Sequence, residues 1–273
     1  MKRQTILRIY TISFLTMALV FVVFLFFNNF LDGSVWNGMK MCQSRINGVY
    51  CELDRANDFF HHKINTYSNL FFFFFGIIVV QIAFFDTKNK TDIPKNLIEQ
   101  FPLISFFFGA CLIYLGIASS FFHASLTWIG ERVDMNATYS IAISLIGISC
   151  YRLFIKTDAS NKFKAAYVLL LFFTVLVFIE IYLYTSSFVL LPLLILVIII
   201  CTITNYLRNK EKYNLYLQIL SLLFMITAFI LRTLDVNKIG CDPASVYQGH
   251  SLWHLFTGMS VFLLYWFYRS EKA

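Results

Sequence analysis

The sequence predicts an all-α protein that crosses a membrane several times. The chain has 273 residues, of which 59% are hydrophobic and only 14% are charged, and its mean hydropathy is +0.69. A water-soluble domain of this size carries far more charge. The hydrophobic residues also fall into blocks of about twenty, which is the length that a helix needs to cross a hydrocarbon layer about 30 Å thick.

Eight of these blocks are long enough to span a bilayer as helices. They cover residues 9–29, 65–85, 101–123, 134–151, 165–184, 188–206, 214–231 and 249–268. The chain shows no internal repeat of fixed period, which argues against a repeat architecture. The sequence therefore predicts one polytopic membrane domain.

The first block has two possible interpretations. It follows Met1-Lys2-Arg3, as a secretory signal would, but its apolar stretch approaches twenty residues and Asn28-Asn29 at its exit lacks a small-residue cleavage site. The uncleaved interpretation is favoured over the signal peptide. We therefore expect an N-terminal anchor helix in residues 1–30, an outer loop in 31–63 and a helical domain in 64–273.

The positive charges predict the orientation of the chain. The net charge is +7, but the 22 lysines and arginines are scattered through short loops and form no basic stripe, so we expect no nucleic-acid partner. If the N-terminus is cytoplasmic, fifteen of these 22 cations fall in inner segments and seven in outer ones. This bias predicts that both termini are cytoplasmic and that the outer loops face a lumen, a periplasm or the cell exterior.

Three of the five histidines lie where predicted spans reach the outer side of the membrane. His123 ends the third span, and His250 and His254 begin the eighth. A spacing of four places His250 and His254 on one helix face, about 6 Å apart along the axis. Because the third and eighth spans cross in opposite directions, His123 is expected at the same depth. Three such imidazoles match the protein ligands of a catalytic zinc site that keeps a fourth position for water.

Asp134 and Ser119 are candidate catalytic residues beside these histidines. Asp134 follows His123 by eleven residues, so a turn within 124–133 must bring it back toward that side chain. A carboxylate at the mouth of a membrane bundle is costly and indicates function, and beside a zinc-bound water it would act as a general base. Ser119 lies one helical turn before His123, where its hydroxyl would stabilise the oxyanion of a tetrahedral intermediate.

These residues belong to sequence blocks that resemble a known family. Residues 64–69 (INTYSN), residues 119–126 (SSFFHASL) with Asp134, and residues 250–254 (HSLWH) are similar to the signatures of the alkaline ceramidases. Those enzymes belong to a superfamily of seven-helix membrane hydrolases that also includes adiponectin-receptor-like proteins. The resemblance covers about residues 50–270, in order and with fitting spacing.

The resemblance implies a seven-helix hydrolase bundle, to which residues 9–29 add one N-terminal transmembrane helix. It implies an intramembrane zinc ion held by the three histidines, with Asp134 activating the water and Ser119 supporting the oxyanion. The implied reaction is hydrolysis of the amide of ceramide to a sphingoid base and a fatty acid.

The resemblance also implies a disulfide between Cys51 and Cys241. Cys42 competes for Cys51, because that bond would close a short loop, and the sequence does not choose between the two pairings.

Calcium is the one cofactor for which this chain departs from the family pattern. The animal enzymes carry a calcium site before their first core helix, and Glu52 and Asp54 are available to contribute here. His62, however, stands about where an acidic ligand is expected. The sequence therefore predicts zinc and argues against a high-affinity calcium site.

Three functional hypotheses follow. The first is a zinc-dependent amidohydrolase that takes ceramide or another N-acyl lipid from the bilayer. The second keeps the metal but cleaves an ester, as a phospholipase or another lipid esterase would. The third is a non-catalytic, receptor-like protein in which the metal is structural. The sequence does not determine the headgroup, the chain length or the oligomeric state.

Overall fold

The fold is entirely helical in the computed structural model, which describes residues 3–89, 96–155 and 159–272. The structure is 79% helical and contains no β-strand among these residues. Numbered in chain order, its helices are α1 (Arg3–Phe30), α2 (Gln43–Ile46), α3 (Lys63–Ser68), α4 (Leu70–Lys88), α5 (Leu97–Gln100), α6 (Pro102–Ser125), α7 (Trp128–Phe154), α8 (Asn161–Tyr184), α9 (Ser187–Arg208), α10 (Leu215–Val236) and α11 (Gly249–Arg269). The predicted all-α polytopic class is confirmed.

Seven helices in the described part of the chain are long and apolar enough to cross a membrane. They are α1, α3 together with α4, and α6 to α10. The eighth predicted crossing, α11, is a helix of 21 residues that is not among the seven. Its first turns carry His250, Ser251, His254 and Thr257, all of them buried, so its polar residues face the bundle.

The N-terminal helix packs against the side of α4. The side-chain amide of Gln81 donates to Ser13 Oγ at 2.7 Å and to the carbonyl of Ile9 at 3.2 Å. Toward its C-terminal end, the ring of Phe24 packs against Phe60 and Tyr67. Most of α1 is otherwise exposed, so it lies at the periphery of the bundle.

A close approach of α4 and α6 positions the end of α6. A Cβ atom at Gly76 would lie 2.9 Å from the carbonyl oxygen of Gly109, and one at Gly116 would lie 2.9 Å from the backbone nitrogen of Phe73. Only glycine allows the two backbones to come this near, as is common between membrane helices.

The turn between α6 and α7 is shorter than the sequence indicates. Leu126 adopts a left-handed conformation (φ 48°) and ends α6, and Thr127 then caps α7 by accepting a hydrogen bond from Gly130 N at 3.2 Å. The turn lies within the predicted stretch 124–133 but occupies only part of it, since α7 already begins at residue 128. The Thr127 cap starts the helix early, and Asp134 lies in the second turn of α7.

The loop 31–62 covers the end of the bundle at which α6 ends and α11 begins, called here the histidine end. The backbone nitrogen of His62 donates to the carbonyl of His123 at 3.0 Å, and that of Cys42 donates to the carbonyl of Leu126 at 3.1 Å. The loop is thus hydrogen-bonded directly to the last turn of α6.

Candidate metal centre

The three histidines that the sequence singles out lie together at the histidine end. His123 comes from the last turn of α6, and His250 and His254 come from the first turns of α11. All three are buried, and one ring nitrogen from each lies within 4.8 Å of the others. The Nε2 atoms of His123 and His250 are 3.2 Å apart, and the three ring centroids are separated by 4.9, 5.1 and 4.6 Å.

This donor set fits a zinc ion. Two nitrogen ligands at about 2.0–2.1 Å from a tetrahedral zinc lie about 3.3 Å from each other. The separation of 3.2 Å between the Nε2 atoms of His123 and His250 is close to that value. Neutral imidazole is a preferred zinc ligand, and three of them leave a fourth position for water.

Asp235, in the last turn of α10, holds the start of α11 in place. Its Oδ1 accepts a hydrogen bond from His250 N at 3.1 Å, and its Oδ2 accepts one from Cys51 N at 3.1 Å. One carboxylate therefore caps the helix that carries two of the histidines and also fixes the covering loop. Such capping satisfies backbone N–H groups that a helix end leaves without partners.

The covering loop is also covalently tied to the segment that precedes α11. Cys51 and Cys241 form a disulfide, which confirms the pairing implied by the family resemblance. The competing residue, Cys42, is a free thiol packed against Phe122 and Leu126. Burial raises the pKa of the Cys42 thiol, so it stays protonated.

Ser68 belongs to the sequence block 64–69, which gave it no individual role, and in the structure it orients His254. Ser68 Oγ lies 2.7 Å from Nδ1 of His254 and donates to the carbonyl of Asn65 at 2.9 Å. A hydroxyl has a single proton, so the proton between Ser68 and His254 comes from Nδ1 of the imidazole. This tautomer leaves the lone pair of Nε2 available to a metal, which is the usual task of a residue that supports a metal ligand.

Asp134 and Ser119 lie beside the histidines, as the sequence indicates. The hydroxyl of Ser119 is in hydrogen-bonding contact with the carboxylate of Asp134. Both side chains line the same cavity as His250 and His254. All five candidate residues of the sequence therefore meet at one end of the bundle.

Tyr50 contributes a ring to the centre that the sequence interpretation does not include. Its ring centroid lies 4.6 Å from that of His250 and 5.2 Å from that of His123, and the side chain lines the cavity beside Asp134. The ammonium of Lys238 donates to the carbonyl of Tyr50, which fixes the loop at this position. Burial raises the pKa of the Tyr50 phenol well above its usual value, so the hydroxyl stays a donor.

The acidic residues considered for calcium are engaged with other groups. Glu52 accepts hydrogen bonds from the backbone nitrogens of Ile64 at 2.8 Å and Asn65 at 2.9 Å, so it caps α3. Asp54 pairs with Arg45 at 2.8 Å. Burial lowers the pKa of His62 to about 4, so this imidazole is neutral at physiological pH.

A largely apolar cavity extends from the centre into the bundle. Its walls include Ile141, Leu191, Ile195, Leu222, Met225 and Leu264. Along α11 it runs from His250 to Leu264, which corresponds to about 21 Å. This length is comparable to that of an extended long acyl chain, so the cavity suits a lipid.

Comparison with protein families gives a match. The family model described as Ceramidase matches residues 43–271, from α2 to just beyond the end of α11. The matched region contains every residue of the centre described above and excludes α1. No individual curated protein matches the chain.

The bond between Ser68 and His254 predicts a loss of metal affinity in Ser68→Ala. Without the hydroxyl, His254 loses the side-chain partner of its Nδ1 proton and keeps only the backbone contact with Asn65, so we expect the affinity for zinc to fall about 10–100-fold. Competition with a chromogenic chelator on the purified protein measures this. Thr227→Val is the control, because Thr227 bonds only within α10 on an exposed face. An unchanged zinc affinity in Ser68→Ala would exclude the orienting role.

Proposed function

Because the chain belongs to the ceramidase family, we propose that it is an integral-membrane, zinc-dependent amidohydrolase that cleaves ceramide to a sphingoid base and a fatty acid. The observation that carries the proposal is the convergence of three buried histidines next to a carboxylate, at the mouth of a long apolar cavity. Membership of the ceramidase family supports hydrolysis of an amide. The three converging histidines support the binding of a metal ion.

His123, His250 and His254 would hold the zinc ion through one ring nitrogen each. When bound, zinc polarises a carbonyl and lowers the pKa of its water from about 15.7 toward 7, which supplies hydroxide at neutral pH. The buried position of all three rings keeps bulk water away from the reacting amide. Where bulk water is excluded, the surrounding protein dipoles stabilise the charge of the transition state more strongly.

Asp134 is the proton carrier in this proposal. Its carboxylate accepts a proton from the attacking water and later delivers it to the nitrogen of the leaving amine. Hydrolysis thus consumes one water, breaks the C–N bond and yields a carboxylic acid and an amine. Contact with Ser119 holds the carboxylate in one orientation, as general-base catalysis requires.

Two hydroxyl groups are placed to stabilise the negative charge on the carbonyl oxygen. Ser119 supplies one, as the sequence predicts: its single proton is donated to the Asp134 carboxylate at rest and becomes available to the oxyanion once that carboxylate has taken up the proton of the water. Tyr50 supplies the other. Both side chains line the cavity next to His250 and His254. A donor that is in place before the reaction starts, as we propose for the Tyr50 hydroxyl, costs no reorganisation when the charge develops.

The cavity offers a route for a lipid from the bilayer. Helix α9 packs mainly on α7, whereas α10 packs mainly on α11, and the cavity lies between these two pairs. We propose that the acyl chain enters between α9 and α10. The excess of positive charge in the segments at the opposite end supports a centre on the lumenal, periplasmic or extracellular side, with both termini in the cytoplasm.

A second candidate, hydrolysis of a phospholipid ester, has one observation in its favour. Arg232 lines the cavity close to the centre, and its guanidinium lies 5.6 Å from the centroid of the Trp253 ring. A cation at this position is suited to a phosphate headgroup. Incubation of the purified protein with mixed lipids separates the two candidates, because release of lysophospholipid with unchanged ceramide would reject the amidase.

Asp134→Asn is expected to abolish hydrolysis while zinc stays bound. Removing a general base lowers the rate about 100–10,000-fold, and Asp134 is not among the three ligands. Release of labelled fatty acid from ceramide and zinc content by elemental analysis check the two parts. Asp58→Asn is the control, because Asp58 lies in the covering loop and pairs with Lys63 away from the centre. Full activity in Asp134→Asn would reject this role.

Tyr50→Phe is expected to lower kcat about 10–100-fold with little change in KM or zinc content, because one donor to the oxyanion is lost. Steady-state kinetics with ceramide measures this. A rise in KM at constant kcat would instead assign Tyr50 to substrate binding.

A further inference from the structure

The part of the cavity far from the histidines carries a cluster of polar side chains, although the walls around it are largely apolar. Four polar side chains line it: Thr202 of α9, Gln218 and Ser221 of α10, and Ser260 of α11. The end of a plain acyl chain forms no hydrogen bonds, so these groups are not explained by a saturated lipid tail.

The three hydroxyl groups have partners inside the protein. Ser221 Oγ donates to the carbonyl of Ser260 at 2.8 Å, and Ser260 Oγ donates to the carbonyl of Ser221 at 2.8 Å. Thr202 Oγ1 donates to the carbonyl of Ile198 at 2.7 Å and accepts from the hydroxyl of Tyr268 at 3.2 Å. Each of the three hydroxyl protons is already donated within the protein, so these groups can only accept a further hydrogen bond through their oxygen atoms.

The amide of Gln218 differs from these three groups. The residue is 5% exposed, and its Oε1 is buried without a hydrogen-bond partner among the described residues. A buried acceptor that lacks a partner is costly, and native proteins keep few of them. Because an amide accepts through its oxygen and donates through its nitrogen, a ligand hydroxyl is a matching partner.

The depth of Gln218 indicates which part of a lipid would reach it. Ser260 follows His250 by ten residues on α11, a rise of about 15 Å, and it contacts Ser221 on α10. Helix α10 runs antiparallel to α11, since Asp235 near its C-terminal end contacts His250. Gln218 therefore lies about 4.5 Å beyond Ser221, close to 20 Å from the metal centre. An acyl chain whose carbonyl is at the histidines ends near this depth.

We propose that Gln218, together with Ser221, Ser260 and Thr202, binds a hydroxyl group at the far end of the acyl chain. The protein then prefers amide lipids with an ω-hydroxylated acyl chain to their unsubstituted counterparts. The inference rests on the proposed function for the position of the carbonyl. The hydroxyl donates its single proton to Gln218 Oε1, so this buried acceptor gains its missing partner, and the hydroxyl groups of Ser221, Ser260 and Thr202 give the site polar surroundings.

Two substrates that differ only in this hydroxyl test the preference. N-palmitoylsphingosine and N-(ω-hydroxypalmitoyl)sphingosine are compared by kcat/KM, and the wild type is expected to favour the hydroxylated lipid about tenfold. Gln218→Met keeps the length of the side chain and removes its amide, so the preference disappears while the unsubstituted substrate is still cleaved. Met225→Leu, which alters an apolar wall residue of the same helix, keeps the preference.

A binding measurement separates a failure of this inference from a failure of the proposed function. Displacement of a fluorescent fatty acid by palmitate and by ω-hydroxypalmitate requires no turnover. Tighter binding of ω-hydroxypalmitate in the wild type, lost in Gln218→Met, supports the site even if neither ceramide is cleaved. Equal binding of the two acids, or a preference that survives in Gln218→Met, overturns it.

Discussion

The structure depends on holding three neutral imidazoles against each other inside a membrane bundle. Three buried rings cannot all pair through hydrogen bonds with each other. The bond between His123 and His250 uses one N–H proton and one lone pair, and the ring of His254 takes no part in it. A divalent cation resolves this, since it accepts a lone pair from each ring at once. Convergence of these rings is therefore the constraint to which the surrounding helix ends and the covering loop are adapted.

Several contacts from different parts of the chain enforce that convergence. The left-handed turn at Leu126 ends α6, and the carboxylate of Asp235 caps the start of α11. The hydroxyl of Ser68 orients the ring of His254. The loop 31–62 is joined to the end of α6 by backbone hydrogen bonds, and the disulfide at Cys51 joins it to the segment before α11. A loop that only shielded the site would not need so many attachments. This one also delivers the ring of Tyr50 to the cavity mouth.

Much of the centre is predictable from sequence because it depends on local periodicity. A spacing of four brings His250 and His254 onto one face, and the alternating direction of spans brings His123 to their level. Asp134 lies at the centre as predicted, although the turn before it is shorter than predicted. The length of the turn is missed because the sequence pattern does not distinguish the capping residue Thr127 from the other polar residues nearby. The polar first turns of α11 likewise reduce its apolar composition without preventing it from packing in the bundle.

The residues to which sequence reasoning assigns no individual role are ones whose partners lie far away in the chain and follow no helical spacing. Ser68 meets His254 across 186 positions, and Tyr50 reaches His250 from a loop with no regular period. In the sequence, Gln218 is a single polar residue near the start of an apolar helix. Only the structure shows that it lines the cavity. Such pairings depend on how helices pack, and spacing along one helix carries no signal for them.

Zinc K-edge X-ray absorption of the purified protein is the sharpest test of the three-histidine centre. We expect one zinc per chain with about three nitrogen ligands and one oxygen ligand at about 2.0–2.1 Å, and a changed spectrum or lost metal in His250→Ala. A protein without stoichiometric zinc, or a zinc spectrum that His250→Ala leaves unaltered, would contradict it.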